Sequence, residues 1–289
     1  MVLLSILSIL VSLVSVPVRG WAWGYDGHQI VAYIAADHLT PAARRHVAQI
    51  LGVADDPSAV AAAMARAAVR PDLEFRTSAP ETVAWHYIYI CRQDTAADEQ
   101  ARCPGGDCVT ARLDRFVDEL KAGKDDPKWN SAAQLAFVIN LMGEIHQPMH
   151  AITNADRTGM CIGVLSPQPA KTLHSLWGEA MVERLEHESH TRGPAATAKA
   201  LEKRYPDSHM AMLPPDRIAW ESHQLAESDA YRELGIPMQP CRPTACTAPL
   251  GGAVHVSQEY IDRNTPVVSR QLAVGGYRLA AMLNGIWNR

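Results

Sequence analysis

The fold is decided by the stretch Gln134–His150, which reads QLAFVINLMGEIHQPMH. Pro148 disfavours helical conformation in the residue before it, so we expect a helix that ends near Gln147. Apolar side chains recur at helical spacing along this stretch and predict an amphipathic helix packed in a core: Leu135, Val138, Ile139, Met142 and Ile145.

Polar side chains share one face near the end of this predicted helix. Asn140 and Glu144 are one turn apart, and His150 lies just beyond the proline. An unpaired buried carboxylate is costly, so nitrogen and oxygen donors crowded at a buried helix end indicate a metal site. The alternative is a core glutamate with satisfied hydrogen bonds and a histidine nearby by chance.

The amino-terminal segment has the features of an export signal. Residues 1–16 carry no charged side chain, and they are followed by Pro17 and Arg19. This run is short for a membrane span, and Gly20-Trp21-Ala22 offers the small residues that a signal peptidase prefers. We therefore predict a secretory signal peptide over residues 1–22, a secreted or periplasmic protein that begins at Trp23, and no stable membrane insertion.

The rest of the chain, residues 23–289, is predicted to be one mainly α domain with little β structure. Ala-rich segments with Leu and Val at helical spacing dominate it, and alternating β-branched runs are almost absent. We expect a monomer. The formal net charge is −4, and loss of Arg19 with the signal peptide makes the mature chain one unit more acidic. Such a protein binds nucleic acid poorly unless something cationic lies in its cleft.

The chain has six cysteines, all after the predicted cleavage site. An even number in an exported chain favours disulfides, and a zinc–thiolate site is less favoured because no tight C-x-x-C spacing occurs. Cys103 with Cys108 and Cys241 with Cys246 would each close a short turn-rich loop, which would leave Cys91 with Cys161. The sequence does not fix this connectivity.

Other segments place polar donors beside apolar runs. The mature start, WGYDGH at 23–28, would offer a terminal amine, a carbonyl oxygen and His28, although such a histidine is more commonly a turn residue. In RPDLEFR at 70–76, Asp72 either serves a site, caps a helix or pairs with Arg76. Two further segments of this kind each contain a histidine. They are AWHYI at 84–88, with His86, and KTLHSLWGE at 171–179, with His174.

Together, and in this order, these motifs resemble the S1/P1 type of zinc-dependent single-strand nuclease, within the phospholipase C-like zinc hydrolase superfamily. The shared marks are W-G-x-x-G-H at 23–28, P-D at 71–72, W-H-Y-I at 85–88, G-E-I-H-Q-P-M-H at 143–150 and L-H-S-x-W at 173–177. The resemblance covers essentially the whole mature chain.

The resemblance implies a single helical domain of the phospholipase C/nuclease type with disulfide-bonded loops and up to three zinc ions in a cleft. It implies hydrolysis of single-stranded DNA and RNA to 5′-nucleotides by a zinc-activated water, often with 3′-nucleotidase activity. By position, the three ligand sets are Asp72, His86, Asn140 and the bridging Glu144; then Trp23, His28 and Glu144; then His150, His174 and an acid after His174.

The resemblance also assigns roles in substrate handling. Asp72 would orient the attacking water beside the bridging Glu144, and Arg76 would help to neutralise phosphate. Tyr87 is a candidate for stacking on an exposed base, together with Tyr89 and Trp85.

Three positions depart from the family pattern. Asn140 stands where the family has a histidine, and Glu144 where it has an aspartate. The acid expected after His174 falls on Gly178, with Glu179 next to it as a possible replacement. The loop at 154–160 also lacks the family's Gly-Gly-Asn run. These changes leave two alternatives open: a pseudoenzyme that binds fewer zinc ions without cleaving, or a related phosphoesterase for phospholipid head groups or mononucleotides.

Overall fold

Helices make up nearly all the regular structure of this chain. The computed structural model describes residues 23–95, 99–206, 212–242, 244–246 and 252–287, so the predicted signal peptide at 1–22 lies outside the described residues. Within them the α-helices are α1 (Gly24–Asp37), α2 (Pro41–Leu51), α3 (Pro57–Ala68), α4 (Arg76–Ser78), α5 (Val109–Ala122), α6 (Ser131–His146), α7 (Leu173–Ser175), α8 (Met181–Glu188), α9 (Pro194–Arg204), α10 (Pro215–Leu225) and α11 (Gln258–Ile286).

Short irregular turns and one small ribbon complete the architecture. Two-residue strands β1 (Val164–Leu165) and β2 (Val254–His255) pair in parallel. Tight or wide helical turns occupy Pro71–Phe75, Pro80–His86, Glu99–Arg102, Pro104–Gly106, Pro148–Ala151, Leu176–Ala180 and Ala226–Arg232. The predicted mainly α single domain with little β structure is confirmed. In the described part of the chain, no helix combines the length and the apolar character needed to cross a membrane.

Helix α6 is the centre of the fold. It begins after Asn130, whose side chain accepts a hydrogen bond from Ala133 N, and it ends at the turn before Pro148, as the sequence predicts. Every residue from Ala133 to His146 is buried, because α1, α3, α5, α10 and α11 pack around it. The helix is therefore enclosed on all sides rather than buried along one apolar stripe, and its polar side chains must find partners inside the protein.

The first and last helices cross very closely. A Cβ atom on Gly276 of α11 would lie 2.5 Å from Ile34 Cβ and 3.1 Å from Val31 O in α1. Only a residue without a side chain permits this approach, since real Cβ atoms do not come so near other atoms. The crossing fixes α1, and with it the segment Trp23–His28, against the long carboxyl-terminal helix.

Three disulfides hold the loops, and two of them differ from the expected pairs. Cys103 bonds with Cys108, as the sequence suggested. The expected Cys241–Cys246 and Cys91–Cys161 pairs are wrong, because the bonds are Cys91–Cys241 and Cys161–Cys246. Cys246 also forms an antiparallel backbone bridge with Asp156. These bonds span 150 and 85 residues, which spacing within a short loop cannot reveal.

We predict that Gly276→Ala destabilises the protein by about 1–3 kcal/mol, because the new methyl group overlaps Ile34 and the α1 backbone. Gly285→Ala is the matched control, since Gly285 lies in the same helix and has no atom within 4 Å of its Cβ position. That variant should be neutral or slightly stabilising. Urea unfolding followed by circular dichroism measures both free energies, and equal effects would contradict a close α1–α11 crossing.

Candidate metal centre

Glu144 is surrounded by three imidazole rings that come from three other segments. It is fully buried on α6. One carboxylate oxygen lies 2.6 Å from His86 Nδ1 and 3.5 Å from His28 Nε2, and the other lies 2.7 Å from His150 Nδ1. Burial opposes ionisation, but the rings of His150, His86 and His28 outweigh it and hold the pKa of Glu144 well below its usual value. Glu144 is therefore a buried anion.

Asp72 brings a second carboxylate to the same place. It sits in the wide helical turn Pro71–Phe75 after α3 and is 4% exposed. One of its oxygens lies 3.7 Å from His28 Nε2, and the other lies 3.2 Å from Arg76 Nε. One donor atom each from His28, Asp72 and Glu144 lies within 4.8 Å of the other two, a spacing that suits a shared cation.

Asn140 is tied to Asp72 through its amide nitrogen. Nδ2 donates to Asp72 Oδ2 at 2.8 Å and to Ala68 O at 2.9 Å. Both acceptors are oxygens, so a flipped amide would place oxygen against oxygen, and the observed orientation is enforced. The amide oxygen is consequently left as the free end, and it is buried without a hydrogen bond among the described residues.

Two further imidazole nitrogens in this cluster are also buried without a hydrogen-bond partner in the described part of the chain. They are His28 Nε2 and His86 Nε2. Burial, followed by the nearby Arg76 guanidinium, lowers the pKa of His86, although Glu144 and Asp72 act in the opposite direction. Neutral imidazole nitrogens and carboxylate oxygens are zinc donors, and a bound cation would satisfy these atoms. The residues present therefore fit a metal ion.

His150 and His174 form a separate pair. Their Nε2 atoms are 3.3 Å apart, and their other nitrogens face backbone oxygens, with His150 Nδ1 2.9 Å from His86 O and His174 Nδ1 2.9 Å from Thr158 O. Burial and the neighbouring His150 lower the pKa of His174 to about 3. With each Nδ1–H donated to a carbonyl, two lone pairs face each other, an arrangement typical of metal-binding histidines.

No acidic residue completes this pair in the described chain. Gly178 occupies the position of the expected acid and is buried. Glu179 lies elsewhere: its Cγ is 3.4 Å from the Cβ position of Gly24, and it lines a surface pocket with Tyr25 and Asp26. Each helical residue is turned by about 100° from the previous one, which directs Glu179 away from the face that Gly178 occupies. No further Asp, Glu, His or Cys in the described residues joins both rings within 4.8 Å.

Glycines allow the first residues of the domain to reach the cluster. The fully buried Trp23 donates its indole N–H to Gly143 O at 2.7 Å, on α6 beside Glu144. A Cβ on Gly143 would lie 2.8 Å from His28 Nδ1, and a Cβ on Gly27 would lie 2.3 Å from Trp23 Cβ. Both glycines are therefore required for Trp23 and His28 to pack against α6.

One cation and two tyrosines lie beside the cluster. Arg76 Nη2 donates a hydrogen bond to Tyr87 OH at 3.4 Å. Burial lowers the pKa of Arg76, but Tyr87, Asp72 and Glu144 raise it by more, so the pKa is raised overall. Tyr87 is 3% exposed, with its ring 4.4 Å from the His150 ring and stacked on Tyr89 at 5.9 Å. Tyr89 is half-buried and presents the more accessible ring.

The structure brings together most of the site residues that were predicted from the sequence. It also adds contacts that the sequence did not predict. The following residues meet around α6, with Trp23, Arg76 and Tyr87 beside them: His28, Asp72, His86, Asn140, Glu144, His150 and His174. Trp85 instead packs in the core against Phe116 and Phe137. Thr158, whose carbonyl orients His174, belongs to a loop with no sequence signal for that contact.

His146, the remaining histidine of the motif, points away from the cluster. Its Nδ1 donates to Met142 O at 2.8 Å, and its Nε2 accepts from Arg278 Nη1 at 3.2 Å. The ring fits against Gly275 of α11, whose Cβ position is 3.4 Å away. Burial and Arg278 lower the pKa of His146 to about 3, so the folded protein keeps this ring neutral.

Comparison with known proteins identifies similar sequences along nearly the whole described chain. The family model described as S1/P1 Nuclease matches residues 23–288. Endonuclease 2 of Arabidopsis thaliana is 26% identical over 92% of this chain and 90% of its own length. Nuclease S1 of Aspergillus oryzae is 26% identical over 91% of each chain. Nuclease P1 of Penicillium citrinum is 24% identical over 91% of this chain and 97% of its own.

We predict that His146 makes the protein sensitive to acid. Its pKa is lower in the folded state than its ordinary value of 6.5, so the unfolded chain binds the proton first. The stabilisation is complete above about pH 6.5 and is lost as the pH falls towards 3, at up to about 1.4 kcal/mol per pH unit.

His146→Asn should flatten this loss in urea unfolding measured between pH 3 and 7.5 with EDTA present. His190→Asn is the control, because His190 is exposed and has a positive φ that asparagine tolerates. An unchanged slope in His146→Asn would contradict the prediction.

Proposed function

Because this chain belongs to the S1/P1 nuclease family, we propose that it is a zinc-dependent nuclease that hydrolyses single-stranded DNA and RNA to 5′-nucleotides, with 3′-nucleotidase activity. One observation carries the proposal: the buried anion Glu144 is enclosed by the rings of His28, His86 and His150, with Asp72 beside them. The relatives named as endonucleases and nucleases support the same reaction class.

We assign the zinc ligands from the donor groups that meet in the cluster. Glu144 would be shared by one set containing Asp72, His86 and Asn140 and by a second containing His28 with the amine and carbonyl of a processed Trp23. His150 and His174 would form a third, incomplete set. When bound, zinc lowers the pKa of a coordinated water, binds phosphate oxygens and stabilises the leaving oxyanion.

The protein's own side chains would position the reactants. Asn140 and Arg76 each hold one oxygen of Asp72, so its carboxylate keeps one orientation from which it would align a water. Asp72 and Glu144 favour the charged form of Arg76, which would contact a phosphate beside the site. Tyr89, half-buried and stacked on Tyr87, would offer its ring to an unpaired base.

Charge balance supports a bound cation as part of the site. The chain is acidic, with a formal net charge of −4, and the cluster adds the carboxylates of Asp72 and Glu144 against the single cation Arg76. A polyanionic strand would be repelled from such a cleft. Divalent ions would reverse the local charge, which is the cationic feature that an acidic nuclease requires.

We also propose that the mature protein begins at Trp23 and is secreted or periplasmic. Three disulfides fit an oxidising compartment. Trp23 is fully buried and its indole contacts Gly143 beside Glu144, so cleavage after Ala22 would create the new amine on a residue that packs next to the cluster. The mature protein is expected to act as a monomer, since the proposed ligand set comes from one chain.

We predict that the processed protein contains zinc and cleaves single-stranded DNA, RNA and a 3′-nucleotide, and that EDTA abolishes all three activities. Zinc per chain is measured by inductively coupled plasma mass spectrometry, and added zinc should restore cleavage. Duplex DNA is the substrate control and should be cut more slowly. A zinc-poor protein without turnover would support the pseudoenzyme alternative, and activity on a phosphodiester other than nucleic acid would support the altered-substrate alternative.

We predict that Glu144→Gln lowers both zinc content and cleavage. The loss should exceed the roughly 10- to 100-fold that removal of an indirect partner of a metal ligand costs, because the amide is neutral and serves two proposed sets. Glu183→Gln is the control, since Glu183 is exposed on α8. Circular dichroism checks the fold. Full zinc content with full activity in Glu144→Gln would refute the assignment.

A further inference from the structure

A groove separate from the metal centre lies between α11 and the segment formed by α10 and its following turn, Ala226–Arg232. Its volume is about 680 Å³, within the range of small-molecule sites. None of its lining residues is a proposed zinc ligand. The groove has no part in the proposed zinc chemistry, so its ligand must be inferred from its own side chains.

Arg270 lies at the edge of this groove as a cation without a carboxylate partner among the described residues. It is exposed. Two other arginines of the same helix form salt bridges. Arg263 pairs with Glu233 and Glu259, and Arg278, which lines the groove, pairs with Glu221 at 2.8 Å. The groove therefore carries one net positive charge within an acidic protein, which favours an anionic ligand.

Gln271 provides a second, independent feature. Its side chain lines the groove and is only 7% exposed, yet it makes no hydrogen bond with any described residue. Its amide group is not fully buried, so the two donors and the acceptor of this group are open to a ligand in the groove. A ligand that presents donor and acceptor groups side by side would satisfy it.

The remaining wall is mostly apolar. Leu225, Val267 and Val274 line it together with the ring of Tyr205, whose hydroxyl is fixed to Ser269 Oγ at 2.7 Å. A matching ligand has an anionic end, a flat body that packs on apolar side chains and an edge that hydrogen-bonds an amide. A phosphate joined to a heterocyclic base has these three properties.

We propose that this groove binds a nucleoside monophosphate, with its phosphate at Arg270 and its base edge at Gln271. The choice of a nucleotide rests on the proposed function, because such molecules are the products of nucleic-acid hydrolysis. The site is distinct from the zinc ligands, so it retains its ligand when zinc is removed.

Isothermal titration calorimetry with adenosine 5′-monophosphate and uridine 5′-monophosphate tests the proposal on the processed, zinc-containing protein and again after EDTA treatment. One binding event should survive EDTA. Arg270→Gln should weaken that event about tenfold or more, because a charged hydrogen bond to phosphate is lost. Gln271→Leu should weaken it for the nucleotides. Arg45→Gln, which changes an exposed arginine on α2 that is remote in sequence, is the control and should leave it unchanged.

Adenosine and inorganic phosphate are the comparison ligands, and each should bind more weakly than the nucleotides. Absence of binding after EDTA, or binding unchanged by Arg270→Gln, would overturn the proposal. Phosphate binding as tight as nucleotide binding would also overturn it, since it would indicate a simple anion site. Cleavage of single-stranded DNA is measured on the same variants. In the unsubstituted protein, absence of EDTA-resistant binding together with cleavage refutes only the groove, whereas EDTA-resistant binding without cleavage refutes only the nuclease.

Discussion

The burial of a charged glutamate inside a helix that is enclosed on every side governs this structure. An uncompensated carboxylate at the position of Glu144 would cost several kcal/mol. The fold meets this demand by bringing His28, His86 and His150 to it from the first helix, from the turn before Tyr87 and from the turn after Pro148. The remaining elements hold these three segments in place, so the same packing forms the core and positions the site residues.

Close packing of small residues makes that convergence possible. Gly27 and Gly143 let Trp23 and His28 lie against α6, and Gly276 lets α11 approach α1 from the other side. The disulfides Cys91–Cys241 and Cys161–Cys246 act at longer range, because they fasten one late loop to the two loops that follow His86 and His150. Packing thus positions the donors on α1 and α6, and covalent bonds restrain the loops around them.

The sequence was sufficient for features that depend on local pattern. The helix over Ser131–His146 and its end before Pro148 follow from apolar spacing and proline chemistry, and the helical class follows from composition. The two long-range disulfides, Cys91–Cys241 and Cys161–Cys246, could not be predicted, since their partners are set by which loops meet in space. Tyr87 shows the same limit: its motif marks it as close to the site, but only packing against His150 and Tyr89 reveals that its ring is covered.

Two of the three positions that depart from the expected family pattern, 140 and 178, have different structural consequences. At position 140 the amide finds new partners: its nitrogen holds Asp72 and Ala68 O, and its oxygen remains as a neutral donor. At position 178 no side chain exists, and Glu179 is turned towards Gly24. Among the described residues, no carboxylate therefore joins His150 and His174 as a third ligand, whereas the proposed ligand sets around Glu144 include one. For this reason we expect the ions beside Glu144 to bind more tightly than one held by His150 and His174.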